Sequence, residues 1–359
     1  MLDKVLDDQK TIKDACEKVG RQINVMEVCG THTVAIFRHG IRSLLPSGFK
    51  MLTGPGCPVC VTDQGYIDTV LELADSKDTL IATYGDMVRV PGKGGSLETK
   101  ATNNNIKIVL SAQDALEIAK ENPDKQVIFI AIGFETTTPA SAVVVTQAAQ
   151  ENIENFTIFS NHKLVIPAMR VLLADKNDKI DAFLCPGHVS AIAGFGIFEE
   201  IVADFKRPCV VAGFEPQQIL EALAIIAQQV ADNQPELKSV YKAVVTRQGN
   251  AIAQKIVQEC FAPADGYWRG IGKIQQSTLR LKDKYSKFDA MVRFGIKEIP
   301  AEDSTGCRCG EVLCGLIDPP TCGLFGNNCT PEHPIGPCMV SSEGACSAWY
   351  KYGADKGKS

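Results

Sequence analysis

The chain has 359 residues, a net charge of −5, 45% hydrophobic and 22% charged residues, the composition of a folded globular protein rather than a disordered one. An acidic balance excludes the basic face that phosphate neutralisation asks for, so no nucleic-acid partner is expected. No apolar run approaches the ~18 residues of a membrane helix, and the acidic start Met1–Asp8 lacks a signal peptide's apolar segment, so the expected location is the cytoplasm, away from membranes.

Short apolar runs at Ile23–Val28, Phe49–Leu52, Thr79–Thr83 and Ile106–Leu110 have the length of buried parallel strands. Helical patterns separate them: Thr33–Leu45 carries Val34, Phe37, Ile41 and Leu45 on one face, Asp63–Ala74 carries Tyr66, Ile67, Val70 and Leu71, and Gln113–Lys120 follows the fourth run. The polar, glycine- and asparagine-rich stretch Pro91–Asn105 predicts a loop. The alternation repeats, with strands at Val127–Ile132, Phe156–Phe159, Ala182–Cys185 and Pro208–Ala212 and helices at Pro139–Ala149, Pro167–Ala174, Ser190–Phe198 and Pro216–Val230. This order predicts two similar parallel-sheet α/β domains, residues 21–122 and 123–231, with duplication as one origin of the likeness. Beyond them, Pro235–Cys260 predicts a long helix, Gly266–Gly272 a turn-rich connector and Leu279–Phe294 another helix. With residues 1–20, residues 232–359 are expected to form a helical third domain ending in a cysteine-rich tail.

Ligands bind open parallel sheets at the carboxyl ends of the strands. The unusual residues stand there: Cys29, Thr31, His32 and Thr33; the run Gly54–Cys60; Asp86 and Arg89; Glu135 with Thr136–Thr138; Asn161, His162 and Lys163; and Pro186–Ser190 with His188. Three of the five histidines therefore fall at strand ends, which suggests a shared cleft.

Fourteen cysteines in a reducing compartment do not read as a disulfide framework. Cys16, Cys185, Cys209 and Cys260 are scattered and are expected to be small buried hydrophobes. Cys57-Pro-Val-Cys60 is a C-x-x-C before a helix, where the helix N-terminus is expected to lower a thiol pKa; redox work is favoured over half of a zinc site because no second C-x-x-C completes one. Cys29, alone in a turn that opens a helix, suits a nucleophile or a metal ligand. The tail holds Cys307, Cys309, Cys314, Cys322, Cys329, Cys338 and Cys346 among glycines and prolines, with too little apolar patterning to fold without an organiser. Its wide spacing suits an iron–sulfur cluster better than a zinc knuckle.

Cys29-Gly-Thr-His-Thr33, Gly54-Pro-Gly-Cys-Pro-Val-Cys60, Gly133-Phe-Glu-Thr-Thr-Thr-Pro139, Pro186-Gly-His-Val-Ser-Ala-Ile192 and Cys338-Met-Val-Ser-Ser-Glu-Gly-Ala-Cys346 together resemble the HypD family, accessory proteins for making [NiFe] hydrogenases. The resemblance implies a scaffold on which an iron centre with cyanide and carbon monoxide ligands is assembled as transient cargo, with a small HypC-type chaperone and a HypE-type cyanide donor as partners. It also implies a [4Fe-4S] cluster on Cys307, Cys322, Cys329 and Cys346, with Cys309 and Cys338 in family-like sequence and Cys314 an extra residue. In this reading Cys29 supplies a thiolate to the iron, His32 supports it, Cys57 and Cys60 form a reversible disulfide, and Glu135 and His188 handle protons on an opposite wall. A cluster-linked protein disulfide reductase would use the same cluster and C-x-x-C but leave Cys29 incidental. A scaffold with a structural zinc tail is a further alternative. A nucleotide-dependent dehydrogenase finds no support, since neither a G-x-G-x-x-G after a strand nor a P-loop motif is present.

Overall fold

The computed structural model describes residues 2–101, 105–175, 178–297 and 306–353. Among the described residues, eleven strands form two sheets: β1 (Ile23–Glu27), β2 (Phe49–Thr53), β3 (Thr79–Thr83), β4 (Ile106–Ile108), β5 (Gln126–Gly133), β6 (Phe156–Lys163), β7 (Ala182–Pro186), β8 (Cys209–Ala212), β9 (Leu237–Ser239), β10 (Phe261–Trp268) and β11 (Gly272–Leu281). One sheet has the order β2-β1-β7-β8-β9 and is parallel throughout. The other runs β10-β11-β6-β5-β3-β4; its four αβ-derived strands are parallel and the β10–β11 hairpin adds antiparallel to β6. The α/β class and the parallel sheets are as the repeating pattern predicts.

The strands are shared out differently from the expected boundary at residues 122 and 123. Each expected unit gives strands to both sheets: β1 and β2 share a sheet with β7 and β8 through the β1–β7 pair, while β3 and β4 share one with β5 and β6 through the β3–β5 pair. The helix Gln64–Ala74 carries the chain from one sheet to the other. Strand–helix repetition in sequence specifies the units but not their neighbours, because every fully buried strand presents the same apolar surface.

The segment after Asp232 also departs from expectation. Pro235–Cys260 is not one helix: β9 comes first, and the helix spans only Ala251–Cys260, capped by the Asn250 side chain on the N–H groups of Ile252 and Ala253. The connector and the start of the next expected helix form the β10–β11 hairpin, paired Phe261 to Leu281 through Trp268 to Gly272. Thr278 and Leu279 pair with Lys163 and His162, which extends β6 past the predicted end at Phe159. Residues 1–20 do not join the tail. The helix Leu2–Val19 lies on the helix Pro216–Asp232 beside the all-parallel sheet, with Ile12 and Ala15 buried and the ion pairs Lys4–Glu221 and Lys18–Asp232 at its ends.

The tail is folded into the body. Cys309, Leu313, Cys329, Cys338, Met339 and Cys346 share one hydrophobic core with Val59, Cys60, Ile132 and Phe134. The final helix Ala345–Tyr352 packs on the helix Gly30–Arg38, with Trp349 against Phe37 at 5.0 Å and the Arg42 guanidinium over both rings. Arg89 at the end of β3 donates to the carbonyl of Pro331 at 2.7 Å. No described helix is long and apolar enough to cross a membrane.

Candidate thiol and metal site

The site forms where the tail crosses the carboxyl ends of β1, β2 and β3. Cys29 caps the helix Gly30–Arg38 in extended backbone, and Cys57 caps the short helix Pro58–Val61. The two loops touch. A Cβ built on Gly56 would lie 2.2 Å from the Cys29 nitrogen, so only glycine lets the Gly54–Cys57 turn close on Cys29. From the other side Thr31 Oγ1 donates to Glu343 of the tail at 2.6 Å.

Beneath Cys29 lies Glu27, at 1% exposure. Its carboxylate accepts from Thr33 Oγ1 at 2.5 Å and from the Cys29 N–H at 3.2 Å, which fixes the turn. Burial pushes Glu27 up to about 8 against those hydrogen bonds. Burial also pushes the Cys29 thiol up to about 12, and the Glu343 and Glu27 carboxylates add to the rise. Cys29 is therefore a thiol in the protein alone, and a cation is what would draw out its thiolate.

Cys57 and Cys60 stand with their sulfurs 2.7 Å apart. The Cys60 N–H donates to the Cys57 sulfur at 3.3 Å. The expected depression of a thiol pKa does not hold for Cys60, whose burial raises it well above the ordinary value. A helix of four residues has little dipole to set against full burial.

Cys338 is close enough to Cys60, and to Cys309 and Cys346, for their thiols to perturb one another. Cys309 lies 3.0 Å from Cys307. Sulfur contacts thus run from Cys57 through Cys60, Cys338 and Cys309 to a pocket lined by Cys307, Cys309, Cys322, Cys329 and Cys346. Leu324, Phe325 and Met339 complete its apolar lining. A Cβ on Gly336 would sit 2.3 Å from Cys307 Sγ and 2.8 Å from Cys309 Sγ, so this position is a cradle that a side chain would fill. The Ile335 N–H donates to Cys329 Sγ at 3.3 Å. An all-thiol donor set in an apolar pocket with backbone N–H groups on sulfur fits an iron–sulfur cluster. Among the described residues, no three Cys, His, Asp or Glu side chains converge as donors to a single ion. Cys314 does not line this pocket but a separate one shared with Leu52 and Ile271, and burial raises its thiol to about 11.

Three sequence candidates do not join Cys29. His32 is fully buried, with Nε2 at 2.9 Å from the Gly213 carbonyl and its ring on Phe214 at 4.8 Å; burial lowers it to about 4. It therefore braces the end of β8. His188 is exposed, with its ring tilted against that of Phe214 at 4.1 Å. Glu135 sits at the end of β5, accepting the Val165 N–H at 2.9 Å, and burial raises it to about 7. Of the scattered cysteines, Cys185, Cys209 and Cys260 are buried and Cys16 is half-buried. Sequence reasoning missed the bridging position of Cys338, the buried Glu27, and Ser341, whose hydroxyl joins Cys57 to Asp86.

The fold and this thiol site define an α/β protein with clustered cysteines at its strand ends, a donor set compatible with metal binding. A family model described as HypD, Hydrogenase formation hypA family, matches residues 4–353. The chain belongs to the HypD family. It is 44% identical to the hydrogenase maturation factor HypD of Escherichia coli strain K12, over 92% of this chain and 90% of that protein. It is 44% identical to hydrogenase maturation factor HypD2 of Bradyrhizobium diazoefficiens, over 91% and 89%, and 42% identical to HypD of Cupriavidus necator, over 94% and 91%.

Proposed function

We propose that this protein is a hydrogenase maturation factor that holds the active-site iron while cyanide and carbon monoxide are added. The observation that carries the reading is the run of sulfur contacts from the C-x-x-C to the tail pocket, laid beside Cys29 at the same strand ends. Cys307, Cys322, Cys329 and Cys346 would hold a [4Fe-4S] cluster, which when bound supplies single electrons. The Cys57–Cys60 pair gives up two electrons and two protons in closing to a disulfide. Cys29, facing the Gly56 turn and Glu343, offers one thiolate to the cargo iron and leaves its other positions to small ligands and a partner's thiolate. A small HypC-type chaperone and a HypE-type cyanide donor are the partners this chemistry asks for, and the setting is cytoplasmic. Glu135 and His188 lie off this path and handle protons once partners close on these faces. His32 serves by bracing the helix that Cys29 opens.

The test replaces Cys29 with alanine in protein purified anaerobically with its small partner. The cluster absorption persists and the infrared bands of iron-bound cyanide and carbon monoxide vanish. Bands at full strength would remove Cys29 as a ligand and favour the alternative, an iron–sulfur protein disulfide reductase.

A further inference from the structure

The tip of the β10–β11 hairpin, Trp268 to Gly272, has no part in the scheme above, yet it touches both halves of the thiol site. On one side it meets the helix Pro58–Val61, which carries Cys60 and is capped by Cys57. A helix leaves its last carbonyls without partners of its own. Here the hairpin supplies the donors. The Arg269 N–H donates to the Val61 carbonyl at 2.9 Å, and Arg269 Nε donates to the Thr62 carbonyl at 2.9 Å. Arg269 Nη2 donates to Gln64 Oε1 at 3.1 Å, and Thr62 forms an antiparallel bridge with Trp268. Arg269 is 5% exposed, so a charged side chain is buried to make this contact.

On the other side the tip meets the tail. Gly270 has φ +74°, and its backbone lies on that of Gly310, the residue after Cys309. A Cβ on Gly270 would stand 2.0 Å from Gly310 Cα, and one on Gly310 would stand 2.5 Å from Gly270 Cα. The hairpin is itself anchored. Lys163 Nζ donates to the Tyr267 carbonyl at 2.6 Å, and the buried Trp268 donates its indole N–H to Ser277 Oγ at 2.8 Å. One anchored turn therefore packs against the dithiol helix and against the tail helix Cys309–Leu313, and close packing transmits its position to both.

We propose that this turn is a positioning device for electron exchange: Arg269 holds the Cys57–Cys60 helix, and Gly270 holds the helix Cys309–Leu313, at the spacing that keeps the dithiol against the tail pocket. The proposal rests on the reading that the dithiol exchanges electrons through that pocket. In the exchange the Cys57–Cys60 disulfide accepts two electrons, supplied one at a time, and two protons from water, and the S–S bond opens to two thiols. Arg269 and Gly270 are positioning residues, acting through the backbones they hold.

The experiment starts from anaerobically purified full chain in which Cys57–Cys60 has been closed with oxidised glutathione. Sodium dithionite, itself oxidised to sulfite, supplies the electrons. Samples are acid-quenched and alkylated, the Cys57–Cys60 disulfide peptide is counted by mass spectrometry, and iron is measured. Cys322→Ser, expected to lack the cluster, gives the direct reaction of dithionite with the disulfide. Gly270→Ala and Arg269→Met are expected to keep iron and to open the disulfide roughly ten- to a hundredfold more slowly, the order of effect of moving reacting groups by about 1 Å. In reduced protein they also alkylate Cys60, fully buried in the wild type, faster with N-ethylmaleimide. Gly272→Ala is the control. Gly272 has φ +94° and nothing within 4 Å of an added Cβ, so alanine there strains the same turn without pressing on the tail. It should match the wild type in both readings. Iron-loaded Gly270→Ala and Arg269→Met that open the disulfide at the wild-type rate overturn the proposal. So does Gly272→Ala lagging as far as Gly270→Ala, or iron lost from both test variants, since each marks the turn as structural support alone. Wild-type protein that opens the disulfide no faster than Cys322→Ser refutes the electron-exchange reading instead.

Discussion

Gly336→Ala is a single-methyl test of the tail pocket. Gly336 has φ −128° and ψ 158°, a conformation open to alanine, so the substitution carries no backbone penalty. Its cost is steric. The new Cβ would stand 2.3 Å from Cys307 Sγ and 2.8 Å from Cys309 Sγ, both inside the contact distance of about 3.5–4.0 Å. Cys307 must swing away, or the turn before the helix Pro337–Val340 must retreat, at a cost of about 1–3 kcal/mol. Either movement takes a proposed ligand from its place. Anaerobically purified Gly336→Ala should therefore lose most of the visible thiolate-to-iron absorption and the matching iron, and melt several degrees lower. Full iron loading with an unchanged melting temperature would refute the reasoning, because it would mean that Cys307 does not hold metal at this position.

Other expectations follow from single contacts. Cys314→Ser should leave iron content unchanged, since Cys314 lines a separate pocket with Leu52 and Ile271 and not the tail pocket; loss of iron in this variant would redraw the ligand set. Thr33→Val should destabilise the fold by about 1–3 kcal/mol in urea titrations, because Glu27 loses its 2.5 Å donor while remaining buried; an unchanged urea midpoint would contradict that bond. His162 is buried with Nε2 on Ser141 Oγ at 2.9 Å, and burial lowers it to about 3. A depressed folded-state pKa gives stability that is present above the unfolded value of 6.5 and lost as pH falls toward 3. His162→Gln should flatten the fall in stability between pH 6.5 and pH 4, read by urea unfolding at each pH; an identical fall would show that other groups govern acid lability.

The parallel strands were legible because fully buried strands such as Val127–Ile132 are written as unbroken apolar runs. Helix starts were legible where a side chain caps them, as Asp63 does for Tyr66. Which strands share a sheet was not, since β3 leaves β2 for β5 without any change in local pattern. The β10–β11 hairpin carries the pattern of a connector and a helix, because Gly266 and Gly272 look like turns. Its pairing with β6 lies more than a hundred residues away in sequence. At the site, spacing and residue type marked Cys29, Cys57, Cys60 and the tail cysteines. The sulfur contacts through Cys338 come from tertiary packing, as does the burial that raises Cys29 and Cys60 where a helix start alone would lower them. His32 has the right spacing to serve Cys29, yet a helix turns successive side chains by about 100°, and its ring faces Gly213 and Phe214.

The account rests most heavily on an iron–sulfur cluster in the tail pocket. Iron, zinc and acid-labile sulfide are to be quantified on anaerobically purified protein, alongside Ser variants of Cys307, Cys322, Cys329 and Cys346. About four irons and about four sulfides per chain are expected, as for a thiolate-ligated cubane. Each serine variant should lose them. Stoichiometric zinc without sulfide in protein never exposed to air would contradict the central claim.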